Sequence, residues 1–97
     1  MAIYNPPHPG EFIRALYIEP SGFSIRQVAD ALGVSPSTLN RLLNGQSAIS
    51  SEMALRLSIT LGRSPESWLT MQDQYDLWHV RQKINLDEVK KIDVSAA

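Results

Sequence analysis

Ser37, Thr38, Asn40, Arg41 and Asn44 follow one another closely enough to form a continuous strip of short hydrogen-bonding groups with a single positive charge. At helical spacing they share one side, and Leu39, Leu42 and Leu43 take the other. The chemistry open to such a strip is recognition. Arginine and asparagine can each engage a guanine or an adenine through two hydrogen bonds, and hydroxyls suit base edges or phosphate oxygens. A single polar residue on a helix more often faces only water, so the assignment depends on what presents the strip.

Other reactive residue types offer less. His8 and His79 have no further histidine or carboxylate cluster at metal-ligand spacing, so no metal is expected. The absence of cysteine excludes disulfides, thiol catalysis and cysteine-ligated zinc, and is compatible with a reducing cytoplasm. No glycine-rich phosphate or dinucleotide loop is present, and no nucleophile stands with a recognisable base. The serines sit where helices should start, which accounts for them. Neither an enzyme nor a cofactor is expected.

The elements that position the strip can be read from caps and periodicity. Pro6, Pro7, Pro9 and Gly10 make the first ten residues irregular. A first helix is expected over about 10–18, with Phe12, Ile13, Leu16 and Tyr17 on one face and a stop at Pro20-Ser21-Gly22. Ser24 with Gln27 forms a capping box for a second helix over 25–32, ended by Gly33. Ser35 caps a third over 36–43, with Pro36 in its first turn and a stop at Asn44-Gly45. A fourth over 51–61 carries Met53, Ala54, Leu55, Leu57, Ile59 and Leu61, which predicts a central buried helix. Its Glu52 and Arg56 have the spacing of a surface ion pair. Ser64-Pro65 opens a fifth, to about residue 82. The tail from Ile84 to Ala97 alternates loosely, leaving a short strand, a docked coil or a disordered end open.

The turn Gly33-Val34-Ser35 is what turns the polar strip into a reading surface. So short a connection fixes a wide crossing angle and leaves the second helix projecting, as in a helix-turn-helix whose second helix enters the major groove. Ala29 is small where the pair is closest, and Val28, Leu32, Val34, Leu39 and Leu42 are apolar where it must be buried. Ser37, Thr38 and Arg41 are then the leading base contacts, with Asn40 and Asn44 on the same face and Ser35 at its start, where a cap alone would also account for it. Arg26 and Gln27 fall where the preceding helix would cross the phosphate backbone, and Gln46 and Ser47 follow in the next loop.

The length suits one domain, expected as residues 1–83 with a tail over 84–97. The N-terminus lacks the pattern of a secretion signal, and no apolar run is long enough for a membrane helix. The net charge of −1 argues weakly against a nucleic-acid binder, yet residues 24–63 are net +2 and residues 64–97 net −2. Trp68, Met71, Tyr75 and Trp78 form a narrow aromatic seam on the fifth helix, over 65–82. Part of it must pack inward, and the excess predicts a homodimer interface. Two-fold symmetry would then imply a pseudo-palindromic operator in double-stranded DNA.

Four segments, HPGEFIRALYIEP at 8–20, ALGVSPSTLNRLLNG at 31–45, SSEMALRLSITLG at 50–62 and SPESWLTMQDQYDLW at 64–78, carry a family resemblance. With them the chain resembles the HigA antitoxins, also labelled virulence-associated protein I, of the Xre-type, lambda-repressor-like helix-turn-helix group. The resemblance implies an all-α, five-helix DNA-binding domain. It also implies a type II antitoxin that neutralises a HigB-like mRNA-cleaving toxin and represses its own operon as a dimer. A stand-alone Xre-type repressor without a toxin would look the same, and a protein-interaction domain that has lost DNA binding is the rival from another class.

Overall fold

The computed structural model describes residues 5–96; residues 1–4 and 97, at the ends of the expected irregular lead and tail, lie outside it. The described residues form an all-α fold of five helices. Helix α1 is built from a stretch Pro9–Ile13, a π-helical turn Arg14–Ile18 and a last stretch Glu19–Ser21, ending on left-handed Gly22. Helices α2 (Ile25–Leu32), α3 (Pro36–Leu43), α4 (Ser51–Thr60) and α5 (Pro65–Arg81) follow. Each of these four is capped by a serine, Ser24, Ser35, Ser50 and Ser64, whose hydroxyl accepts a first-turn backbone N–H.

Helix α1 stops at Gly22, within the expected Pro20-Ser21-Gly22 signal, but it outruns its expected end near residue 18, and the reason lies one turn earlier. The Glu19 N–H donates to the Arg14 carbonyl, one residue further back than in an α-helix. That widened turn comes just before a residue with no N–H and a bulky ring, so helical backbone runs on through Pro20. The Ser21 hydroxyl then donates to the Ile18 carbonyl at 3.1 Å.

The core gathers Ile13, Val28, Leu39, Leu42, Leu57 and Trp68 with their buried neighbours. Helix α4 is not the central buried helix its composition predicts. Ala54 and Leu57 are fully buried, whereas Leu55 and Ile59 are 56% and 86% exposed. The apolar residues of the helix extend past the side that packs, and Leu55 and Ile59 lie on the part left open.

Trp68 also needs correcting. It is 0% exposed, its indole N–H donates to the Gly62 carbonyl at 2.9 Å, and Phe12, Tyr17 and the Arg63 guanidinium cover its ring. It is therefore a core residue of the single chain and has no surface to offer a second copy. The rest of the seam divides. Met71 is half-buried against the core, Tyr75 lies between His8 and His79, and half-buried Trp78 lies edge-on to His79. The apolar residues α5 leaves most open are Leu77 and Val80, 50% and 49% exposed. Beyond Arg81 the chain has turns, a 3-10 turn at Val94–Ala96 and no strand among the described residues, and Ile84, Leu86, Val89 and Ile92 are exposed.

One close approach sets how α1 meets α3. A Cβ on Gly10 would overlap the Leu42 carbonyl oxygen and lie 2.9 Å from the Leu43 Cα, so only glycine fits. Beside it, His8 caps α1: its Nδ1 accepts the Gly10 N–H at 2.9 Å. Burial pushes the His8 imidazole below its ordinary value of 6.5, against smaller upward pulls from a backbone hydrogen bond at Ser47 and from the Asp76 and Glu11 carboxylates.

The fold thus favours neutral His8, and the unfolded chain takes up its proton first. The stabilisation is complete above about pH 6.5 and is lost as pH falls through the lowered folded value. His8→Asn keeps a capping acceptor and has no proton to bind. Denaturant unfolding should show the stability difference between wild type and this variant moving in the variant's favour as the solution is acidified. An identical pH profile for both proteins would contradict the assignment.

Candidate nucleic-acid interface

Helices α2 and α3 meet at Ala29, which is fully buried, and turn at Gly33, whose φ of 75° suits the residue without a Cβ. The Gly33 and Val34 N–H groups donate back to the Asp30 and Ala29 carbonyls at 3.1 and 3.0 Å, closing the end of α2. Arg56 of α4 reaches across to this turn. Its Nη1 donates to the Leu32 and Gly33 carbonyls at 2.9 and 3.2 Å, while Nε and Nη2 hold the Glu52 carboxylate at 3.0 and 2.8 Å. The surface pair that the spacing predicts is present, and the same guanidinium also fastens the helix-turn-helix. Helix spacing reveals only the first of these contacts.

On α3 the polar strip is continuous and already hydrogen-bonded along its length. The Ser35 hydroxyl accepts the Thr38 N–H at 3.1 Å and donates to Thr38 Oγ1 at 2.9 Å. Arg41 lies back along the helix, donating to Ser37 Oγ at 3.1 Å and, more weakly, to Thr38 Oγ1 at 3.5 Å. Ser37, Asn40, Arg41 and Asn44 are exposed and Thr38 is half-buried. Asn44 closes α3, and its side-chain oxygen accepts from Nη2 of Arg14 on α1 at 3.1 Å. No spacing rule links residues so far apart in the chain, so the sequence gives no signal for Arg14 at this site.

The flanking candidates differ in how free they are. Arg26 is exposed at the start of α2. Gln27 is exposed, but its side-chain oxygen accepts the Ser24 N–H at 2.8 Å, leaving its NH2 to face outward. In the loop after α3, Gln46 is exposed and Ser47 half-buried. This loop is pinned from behind, because the buried Gln72 side chain accepts the Ile49 N–H at 2.8 Å and donates to Asp76 at 3.0 Å.

The charge of the middle segment is also less free than its count suggests. Arg56 is paired with Glu52, and Arg63 lies over the Phe12 and Trp68 rings. Exposed Arg26 and Arg41 and half-buried Arg14 are the arginines of α1–α3. No acidic residue lies on α3.

These features define a helix-turn-helix protein, and the helix-turn-helix family model matches residues 13–68. The chain is 35% identical over 79 residues to antitoxin HigA-1 of Vibrio cholerae, covering 81% of this chain and 74% of that protein. It is 33% identical over 92 residues to YddM of Escherichia coli, an uncharacterised HTH-type transcriptional regulator, covering 95% of this chain and 97% of that one. Antitoxin GraA, solved in complex with its operator, superposes with a TM-score of 0.86 at 36% identity, covering 97% of this chain and 98% of that one. The chain belongs to the HigA antitoxin family of Xre-type helix-turn-helix proteins.

Replacing Arg56 by alanine removes the donor to two turn carbonyls, a loss of about 1–2 kcal/mol in unfolding free energy. Glu52→Ala, which leaves those carbonyl bonds in place, should cost clearly less. Equal losses in urea unfolding would mean that the turn does not depend on the Arg56 clamp.

Proposed function

We propose that this chain is a type II antitoxin that binds its own operator as a homodimer, represses its operon and neutralises a HigB-like mRNA-cleaving toxin. The observation that carries the reading is the outward face of α3, projecting from a clamped turn and free of acidic side chains. Likeness along almost the whole chain to an antitoxin solved in complex with its operator supports it. Ser37, Thr38 and Arg41 lead into the major groove, with Asn40 beside them. Arg41 must leave Ser37 and Thr38 to reach a base, exchanging two exposed hydrogen bonds for new ones. Arg26, Gln27, Asn44 and Gln46 meet phosphates, and Ser35 serves first as a cap.

In this account residues 1–83 act as the DNA-binding unit in the cytoplasm. No helix among the described residues is long and apolar enough to cross a membrane. The second copy docks on α5 through Trp78 and Tyr75, with Met71 at the margin, and exposed Leu77 and Val80 extend that surface. A stand-alone repressor is the second reading, favoured by the likeness to a protein named only as a transcriptional regulator. A neighbouring reading frame for a small basic protein would separate the two.

Titration of the protein against its own upstream promoter and a scrambled duplex, at two salt concentrations, tests the operator reading. Promoter binding should be tighter and persist at higher salt; equal, salt-labile binding to both would overturn it. Arg41→Ala should weaken promoter binding by about 1–3 kcal/mol and relax preference at one base pair, whereas a uniform loss across sequences would make it a phosphate contact. Trp78→Ala should shift sedimentation toward the monomer, and an unchanged dimer would remove α5 as the interface.

A further inference from the structure

We propose that Arg14 is a positioning residue for operator contact, fixing the Asn44 carboxamide so that its NH2 is presented to the DNA backbone. The proposal rests on the operator reading above and adds to it a residue from outside the helix-turn-helix.

The argument begins with the donor inventory. A guanidinium has donors and no acceptor, so the carboxamide atom that meets Arg14 Nη2 at 3.1 Å is the oxygen of Asn44. The NH2 group is then turned away from α1, and what it can meet outside is an acceptor. A phosphate oxygen is such an acceptor, and a helix end at the edge of a reading helix is where phosphate contacts fix its register.

The backbone leaves Asn44 little other freedom. Its N–H donates to the Asn40 carbonyl and the next N–H, of Gly45, to the Leu42 carbonyl, both at 3.0 Å, so Asn44 ends α3 with its main chain held on both sides. The side-chain torsions are what remain, and Arg14 holds them. Arg14 in turn stands on a well-anchored base. It opens the π-helical turn, its carbonyl accepts the Glu19 N–H, and the same helix is pressed on α3 at Gly10. The Asn44 amide is thereby oriented from α1, the helix that packs behind the reading helix.

The test is a double-mutant cycle in promoter affinity with the full chain: wild type, Arg14→Met, Asn44→Ala and both together, each also titrated with the scrambled duplex at two salt concentrations. If Arg14 acts through Asn44, each single variant should bind the promoter about three- to tenfold more weakly. The double variant should then be no weaker than Asn44→Ala alone. Arg14→Lys, which keeps a donor for the carboxamide oxygen, should restore most of the affinity. A merely structural role for Arg14 would lower binding regardless of what stands at position 44. Losses that multiply in the double variant, with a salt slope lower by about one, would make Arg14 a phosphate contact in its own right and overturn the proposal. Full affinity of Arg14→Met would overturn it as well.

A second measurement needs no variant. The Asn44 side-chain NH2 resonances of the wild-type protein should shift when promoter duplex is added, and unmoved resonances in a saturated complex would contradict the proposal. The two failures are distinguishable. A wild-type protein that does not prefer its promoter sinks the operator reading and this proposal together. A wild type that does prefer it, with losses that multiply, sinks this proposal alone.

Discussion

Backbone meets backbone where Gly10 lies against Leu42 and Leu43, and this contact sets the geometry of the reading helix. Side chains can repack around a small error, but two main chains in van der Waals contact cannot. The contact places the start of α1 at the end of α3. From there His8 reaches the loop that follows α3, Arg14 reaches Asn44, and Phe12 and Tyr17 close over Trp68. On the other side of the motif, Arg56 ties α4 to the turn between α2 and α3. Helix α3 is thus supported at its beginning, along its buried leucines and at its end, while its outer face carries only polar groups. A reading helix must present donors and acceptors in fixed register, so the supports matter as much as the groups themselves.

Much of this was legible in the sequence because it is local. A serine followed by a helical run and ended by glycine or asparagine marks a helix whatever its neighbours do, and α2 and α3 lie where those signals put them. The tight turn and small Ala29 identify the motif for the same reason. What escaped depends on distance along the chain. The roles of Arg14 and Gln72 come from partners 30 and 23 residues away, and Arg56 combines a legible i, i+4 pair with an illegible bond to the turn.

Two errors have a different origin. The first helix outruns its expected end near residue 18 because proline ordinarily ends a helix at once, and the π-helical turn that lets the backbone run through Pro20 to Gly22 has no sequence signature. Trp68 belongs to a stripe that counting alone could not divide between core and surface. The division follows from α1 lying over one end of that stripe, a tertiary fact. Leu55 and Ile59 teach the converse, since an apolar residue on a short helix need not have anything to bury it.

Helix α1 holds the reading helix in register through Gly10, and Gly10→Ala is the substitution that should release it. The variant should lose about 3 kcal/mol of stability, because a methyl group has no room against fixed main chain. At a temperature where it is still folded, it should lose promoter affinity more than affinity for a scrambled duplex, because a displaced helix misses base edges while phosphates still attract it. A Gly10→Ala protein as stable as wild type, with unchanged preference for its promoter, would mean that α1 does not set the register of α3.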